Sequence, residues 1–210
     1  AISMTGLHSA TLITRVVVDP HDAAFKNPSK PIGPFYEKPV RSGMKMDAGR
    51  GYRLVVASPE PVKIREHDAI EALLEHDFVV IAVGGGGIPI KKSGEGLEAV
   101  IDKDRASSLL ASGLGLDCFV ISTDIDQVYL NFKQPSQHGV KRATADMMEY
   151  YLKSGQFPAG SMGPKIEAAT RFIRGGGKDV FITSTDHLIE AIHGKAGTHI
   201  TARHESEQEP

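Results

Sequence analysis

The sequence predicts an α/β protein: a three-layer α/β/α sandwich with a mostly parallel central sheet and a small inserted subdomain. Three observations lead there. Apolar runs at residues 78–83 and 118–121 are continuous, as in strands covered on both faces, where a half-exposed strand would alternate. Helical spacings of apolar residues lie between such runs, so strand and helix take turns along the chain. Four glycines in succession, Gly84, Gly85, Gly86 and Gly87, follow the first run directly, and the carboxyl end of a buried strand is where open α/β sheets place their ligands.

Composition bounds the answer. The 210 residues are 40% hydrophobic and 24% charged, which suits a globular protein with one sizeable core or two small ones. A formal charge of -2, with lysines spread along the chain, gives no basic footprint for nucleic acid. No apolar run approaches the length of a bilayer span, so no membrane partner is expected. The single cysteine, Cys118, has no partner for an internal disulfide and reads as a small core residue, which suggests a cytoplasmic protein. The first residue is alanine.

Residues 10–18 are rich in β-branched side chains and stop at Asp19-Pro20, so they read as an opening strand closed by a turn and lacking an earlier partner. Prolines and glycines crowd residues 20–61, where regular structure should be short; only residues 52–57 read as a strand. Lys26, Lys30, Arg50 and Arg53 make this stretch cationic, and solvated charge is its plain reading. Ile70, Leu73 and Leu74 mark a short helix that ends before Phe78, and His67 and His76 on or near it read as surface residues outside any metal-ligand spacing. A second helix begins near Asp102 or Asp104, faces Ala106, Leu109 and Leu110 inward and ends at Gly113 and Gly115.

Residues 117–122 form the next strand and lead into Thr123, Asp124, Ile125 and Asp126. Thr144 can cap a helix that carries Met148, Tyr151 and Leu152. The run 157–165 opens a further helix, with Ile166, Ala169, Phe172 and Ile173 on one face and Lys165 in its first turn. A cation there opposes the helix dipole by about 0.3 to 1 kcal/mol at an exposed site, a cost that a bound phosphate offsets. Strands at 179–183 and near 198–201 flank a last helix at 186–192. The expected organisation is a core that starts at 1–19, an inserted subdomain at 20–61, the rest of the core at 62–203 and a flexible polar tail at 204–210.

Polar clusters therefore stand where strands end or helices begin: the four glycines, Asp102 to Asp104 with Lys103, and the segment 160–165 with Lys165. Phosphoryl transfer uses such groups, because lysines and fixed amides stabilise charge spread over equatorial oxygens while a carboxylate orients the lysines. Neither GxxxxGK[ST] nor GxGxxG fits any glycine cluster, so the phosphate cradle is neither a Walker loop nor a Rossmann turn.

The runs VVVDPHDAAFKNPSKPIGPF, DAGRGYR with SPEP, GGGGIP, EAVIDKD and GSMGPKIEAA together resemble carbamate kinases of the amino acid kinase superfamily, nearly unbroken from Thr11 to Thr201. The resemblance implies a homodimer that uses ATP/ADP with Mg2+ and transfers a phosphoryl group reversibly between ATP and carbamate. It implies catalytic roles for Lys103 and Lys165, with Asp104 orienting them. It makes residues 20–61 a protruding lid; Gly84, Gly85, Gly86 and Gly87 would lie at the phosphoryl and carbamate site, with Lys30, before Lys26, reaching in from that lid. Ser122, Thr123, Asp124, Tyr129, Met162 and Lys165 would line the nucleotide side. No residue is assigned as a metal ligand. The family's GGN and HGNGPQ loops do not occur here, so the chain resembles the carboxyl-terminal part of such an enzyme, and these residues alone are expected to be inactive or nearly so. Two other readings stay open: a non-catalytic nucleotide-binding or dimerisation module, and another amino acid kinase.

Overall fold

The computed structural model describes residues 6–47, 49–158 and 160–202; the tail expected from residue 204 lies outside them. The chain divides into two compact units, Ala1–Ser107 and Ser108–Pro210.

In the first unit the opening apolar stretch is two strands, β1 (Ser9–Thr11) and β2 (Arg15–Val18). Thr14 makes the break. Its hydroxyl donates to the Leu12 carbonyl and accepts from the Val83 amide, and its own carbonyl accepts from Ile88. Three strands follow in residues 20–61: β3 (Lys30–Tyr36), β4 (Met44–Met46) and β5 (Tyr52–Val56) form an antiparallel sheet in the order β3-β5-β4. The strand expected at 52–57 is present. β3 was not foreseen because it contains Pro31 and Pro34, yet it lies at a sheet edge, where a missing amide donor costs little. Arg50 and Arg53 are not merely solvated: both guanidinium groups bond Asp47 and lie 4.9 to 5.0 Å from the Phe35 ring centroid.

Then come β6 (Pro61–Ile64), α1 (His67–Glu75), β7 (Val79–Ile81) and β8 (Ile88–Ile90). β2 pairs antiparallel with β6 and parallel with β8, and β1 pairs parallel with β7. Val16, Val18, Ile64, Ile70, Ile90, Ile101 and Ala106 are buried around them. The run 78–83 is parallel as expected but is only a three-residue strand and is half-exposed, with Ile81 at 48%. Among the described residues β7 pairs with β1 alone, so one edge and part of its surface stay open. His76 is exposed as expected, whereas His67 is half-buried against Asp68.

Helix α2 (Lys103–Gly113) leads into the second unit. There follow β9 (Cys118–Thr123), β10 (Val128–Leu130), β11 (His138–Val140), β12 (Arg142–Thr144), α3 (Ala145–Lys153), α4 (Met162–Arg174), β13 (Asp179–Ser184), α5 (Leu188–Ile192) and β14 (Thr198–Thr201). The main sheet runs β12-β14-β13-β9, parallel at β12/β14 and β13/β9 and antiparallel at β13/β14. Four consecutive residues of β13, Val180 to Thr183, are buried, so both faces of that strand are covered. Val180 and Ile182 join Phe172, Ile166 and Ala169 of α4 in one core cluster. Phe181 instead stacks on His199 at 4.5 Å. Burying a side chain the size of Phe172 contributes about 1.5 to 3 kcal/mol, so α4 is anchored by this face. Thr144 caps α3 as expected, its hydroxyl accepting from the Met147 amide at 3.2 Å.

Cys118 corrects the sequence reading, because it is exposed. Among the described residues β9 pairs with β13 alone, and its first residue lies at this open side while Ile121 is buried. The segment 186–192 also differs: a 3-10 turn over Thr185–His187 precedes the short α5.

Candidate functional site

The glycine run divides into two halves with different reasons for being glycine. Gly86 has φ +120°, and a Cβ there would stand 2.2 Å from the Ile101 carbonyl oxygen; Gly87 has φ +92° and would meet Val16 at 2.6 Å. Both positions are dictated by the backbone's close approach. Gly84 and Gly85 are exposed, and nothing lies within 4 Å of an added Cβ at either. Of the four expected ligand-binding glycines, Gly84 and Gly85 are thus the pair with open space around them. Val83 enters the loop at φ +50°, a strained conformation for a β-branched residue. The Thr14 hydroxyl holds the Val83 amide at 2.9 Å, and the Val83 carbonyl accepts from Gly86 at 2.6 Å.

The loop rests on Ile101, and the next residue opens α2. Asp102 is only 5% exposed. Its Oδ1 accepts from the amides of Asp104 (2.9 Å) and Arg105 (3.3 Å), satisfying donors that a helix start otherwise leaves bare. Its Oδ2 takes the Lys30 ammonium at 2.5 Å. Burial alone would raise the Asp102 carboxyl; the hydrogen bond and charge of Lys30, with the two amides, outweigh it and hold the group below the usual carboxylate range. Two more contacts join residues 20–61 to this segment. The Val100 amide donates to the Ala57 carbonyl at 2.9 Å, and Arg105 pairs with Glu60 at 3.4 Å. Lys103 is the exposed first residue of α2 and Asp104, half-buried, is the second. Four of the expected groups, Lys30, the glycine loop, Lys103 and Asp104, thus meet along the short run 100–105. Lys26 is elsewhere, exposed at the end of a 3-10 turn over Ala23–Phe25.

In the second unit, Ser122 and Thr123 end β9. The hydroxyls of Ser122 and Thr185 are hydrogen-bonded at 2.8 Å, and Thr123 donates to Asp124 at 3.1 Å. The Tyr129 hydroxyl donates to Asp126 at 2.9 Å, and its ring lies 6.3 Å from that of Phe132. Met162 is buried at the start of α4, in the core cluster with Ile121 and Val128, and Lys165 is half-buried in the helix's first turn. Ser122, Thr123 and Asp124 accordingly sit at the carboxyl end of β9 and Met162 and Lys165 at the amino end of α4, whereas Tyr129 lies within β10, which pairs antiparallel with β11.

Sequence reasoning placed Asp102 in the polar cluster at the start of this helix but gave it no role, and it missed Thr14 altogether. Asp102 carried a signal, since an aspartate just before a helical run is an N-cap. Its partner Lys30 stands 72 residues away, and nothing local announces it. Thr14 looked like one more β-branched residue within a strand.

Residues 11–184 match the amino acid kinase family. Among curated relatives, the carbamate kinase of Thermoplasma acidophilum is 48% identical over 197 residues, covering 90% of this chain and 65% of that protein. The carbamate kinase of Oenococcus oeni is 43% identical over 205 residues, covering 92% of this chain and 66% of that protein. The chain thus spans slightly less than two thirds of the length of these relatives. Among solved structures, carbamate kinase from Giardia lamblia bound to AMP-PNP superposes with a TM-score of 0.84 at 38% identity, covering 95% of this chain and 68% of that one. The three-layer α/β fold expected from the sequence is the fold so matched.

Proposed function

Because the chain belongs to the amino acid kinase family, we propose that it carries the phosphoryl-transfer machinery of a carbamate kinase and moves a phosphoryl group between ATP and carbamate, in cells chiefly to form ATP from ADP and carbamoyl phosphate. The observation that carries this reading is the convergence on residues 100–105 of a cation from residues 20–61, an open pair of glycines and the first residues of a helix. Residues 20–61 act as the lid. Lys103 and Lys165 bind the equatorial oxygens of the transferred group, Asp104 orients them, and Lys30 adds a third cation. The amides beside Gly84 and Gly85 face the phosphoryl group and carbamate. Ser122, Thr123, Asp124, Tyr129 and Met162 form the nucleotide side, and Mg2+ enters with the nucleotide as part of the substrate. The same reading makes the working protein a cytoplasmic homodimer in arginine breakdown.

The test uses the full gene product that carries these 210 residues, assayed for ATP formation from ADP and carbamoyl phosphate and, separately, for ADP binding. Turnover that Lys103→Ala and Lys165→Ala each remove supports the reading. ADP binding without turnover overturns it in favour of a non-catalytic nucleotide-binding module.

A further inference from the structure

Resting on that reading of the lid, we propose that Asp102 is a positioning residue: its buried carboxylate draws Lys30 onto the start of α2 and so fixes the lid's seat beside the glycine loop. The carboxylate is used completely. One oxygen caps α2 through the Asp104 and Arg105 amides, while the other holds the Lys30 ammonium. With a side chain only 8% exposed, Asp102 has little water to turn to if the lysine leaves, whereas the Lys30 side chain is 34% exposed and can reach solvent. The restraint is therefore asymmetric: the helix start is fixed and the lid comes to it. Ile101, adjacent to Asp102, bears on Gly86, so the seat of the lid and the floor of the glycine loop are the same piece of backbone. A lid held this way brings the Lys30 charge to the residue that precedes Lys103.

Capping and charge are separable by substitution. Asp102→Asn keeps a good N-cap and deletes the charge, whereas Asp102→Glu keeps the charge and weakens the cap. Lys30→Met removes the same ion pair without touching the helix. Spin labels at Lys38→Cys on the lid and Glu71→Cys on α1, both exposed positions, report the lid's distance distribution in a Cys118→Ser background. The expected result is a narrow distribution in the parent. Asp102→Asn and Lys30→Met each broaden it, the double variant is no broader than either, and Asp102→Glu restores most of the narrow peak. The fraction of open lid should rise about 10- to 100-fold, less than for a fully buried pair because Lys30 is partly solvated. In turnover, Asp102→Asn should lower kcat with the KM for ADP nearly unchanged, since it misplaces a cation without touching the nucleotide side. A parent-like distribution in Lys30→Met, which leaves the cap intact, overturns the proposal. The distances are measured without substrate, so the two readings fail separately: a parent protein that makes no ATP refutes the carbamate kinase reading, and the label distances alone decide the role of Asp102.

Discussion

Replacing Gly86 by alanine and, separately, Gly84 by alanine distinguishes a glycine that the fold requires from one that a ligand requires. At Gly86 the new methyl would stand 2.2 Å from the Ile101 oxygen and 2.8 Å from its carbonyl carbon, neither of which can rotate away. Relieving that overlap means moving backbone by about 1 Å, and overpacking of this kind costs about 1 to 3 kcal/mol. The φ of +120° adds a conformational cost of about 1 to 3 kcal/mol for any L residue. Gly86→Ala should therefore destabilise the first unit by about 2 to 6 kcal/mol, and with a urea dependence of about 2 kcal/mol per molar its midpoint falls by roughly 1 to 3 M. Gly84→Ala meets nothing within 4 Å and has no positive φ, so its stability should stay within about 0.5 kcal/mol of the parent. On the proposed reading, phosphoryl transfer should nevertheless fall in Gly84→Ala, because the methyl would stand beside the transferred group. Urea unfolding followed by far-ultraviolet circular dichroism suits a chain without tryptophan. An unchanged midpoint for Gly86→Ala, or a loss of stability in Gly84→Ala as large as that in Gly86→Ala, would refute the division of the loop.

Thr14→Val keeps the shape of the side chain but leaves the buried Val83 amide without its acceptor, which should cost about 1 to 3 kcal/mol in urea unfolding, and Thr14→Ser should recover most of it. Lys103→Ala and Lys165→Ala should each lower turnover by about 10² to 10³ with a smaller change in the KM for ADP, as for a lost transition-state donor; near-normal turnover in either removes that lysine from the catalytic assignment. Asp102 and Asp22 both have lowered carboxyl pKa values, Asp22 through the amides of Ala24 and Glu60. Their contribution to stability is present above the unfolded carboxylate value of about 3.9 and lost as pH falls through their folded values, so Asp22→Asn and Asp102→Asn should flatten the acid limb of a stability profile below about pH 4. Cys118 is exposed, but burial of its sulfur and the charges of Asp179 and Asp117 push the thiol up. A maleimide should label it in the folded protein at neutral pH, more slowly than a free thiol and faster as pH rises; no labelling until unfolding would restore the core reading.

What the sequence made legible follows the physical range of each signal. The helix starts at Thr144 and Asp102 and the covered strand at 179–184 rest on contacts within a few residues, and all are where local pattern puts them. The division of 10–18 into β1 and β2 could not be read locally, because Thr14 is turned by Val83 and Ile88, far along the chain. The exposure of Cys118 and Ile81 has the same origin: an apolar run announces a strand, but which strands pair with it decides what is covered. Strand β3 shows the converse, since two prolines argue against a strand until its place at a sheet edge is known.

The glycine loop also shows why strain and looseness are different things. Four glycines in sequence suggest a floppy segment, and a floppy segment would lose conformational entropy on closing round a phosphate, about 1 to 2 kcal/mol for each residue fixed. Here both ends are already fixed. Val83 is held in a left-handed conformation by the Thr14 hydroxyl and the Gly86 amide, and Gly86 and Gly87 are pressed against Ile101 and Val16. Only Gly84 and Gly85 keep freedom, as a short bridge between two anchored points. Most of the ordering cost is therefore met on folding, by the strain at Val83 and the close packing at Gly86. On the proposed reading the two exposed glycines present their backbone to an anion with little left to lose, which accounts for their place beside the strained residue.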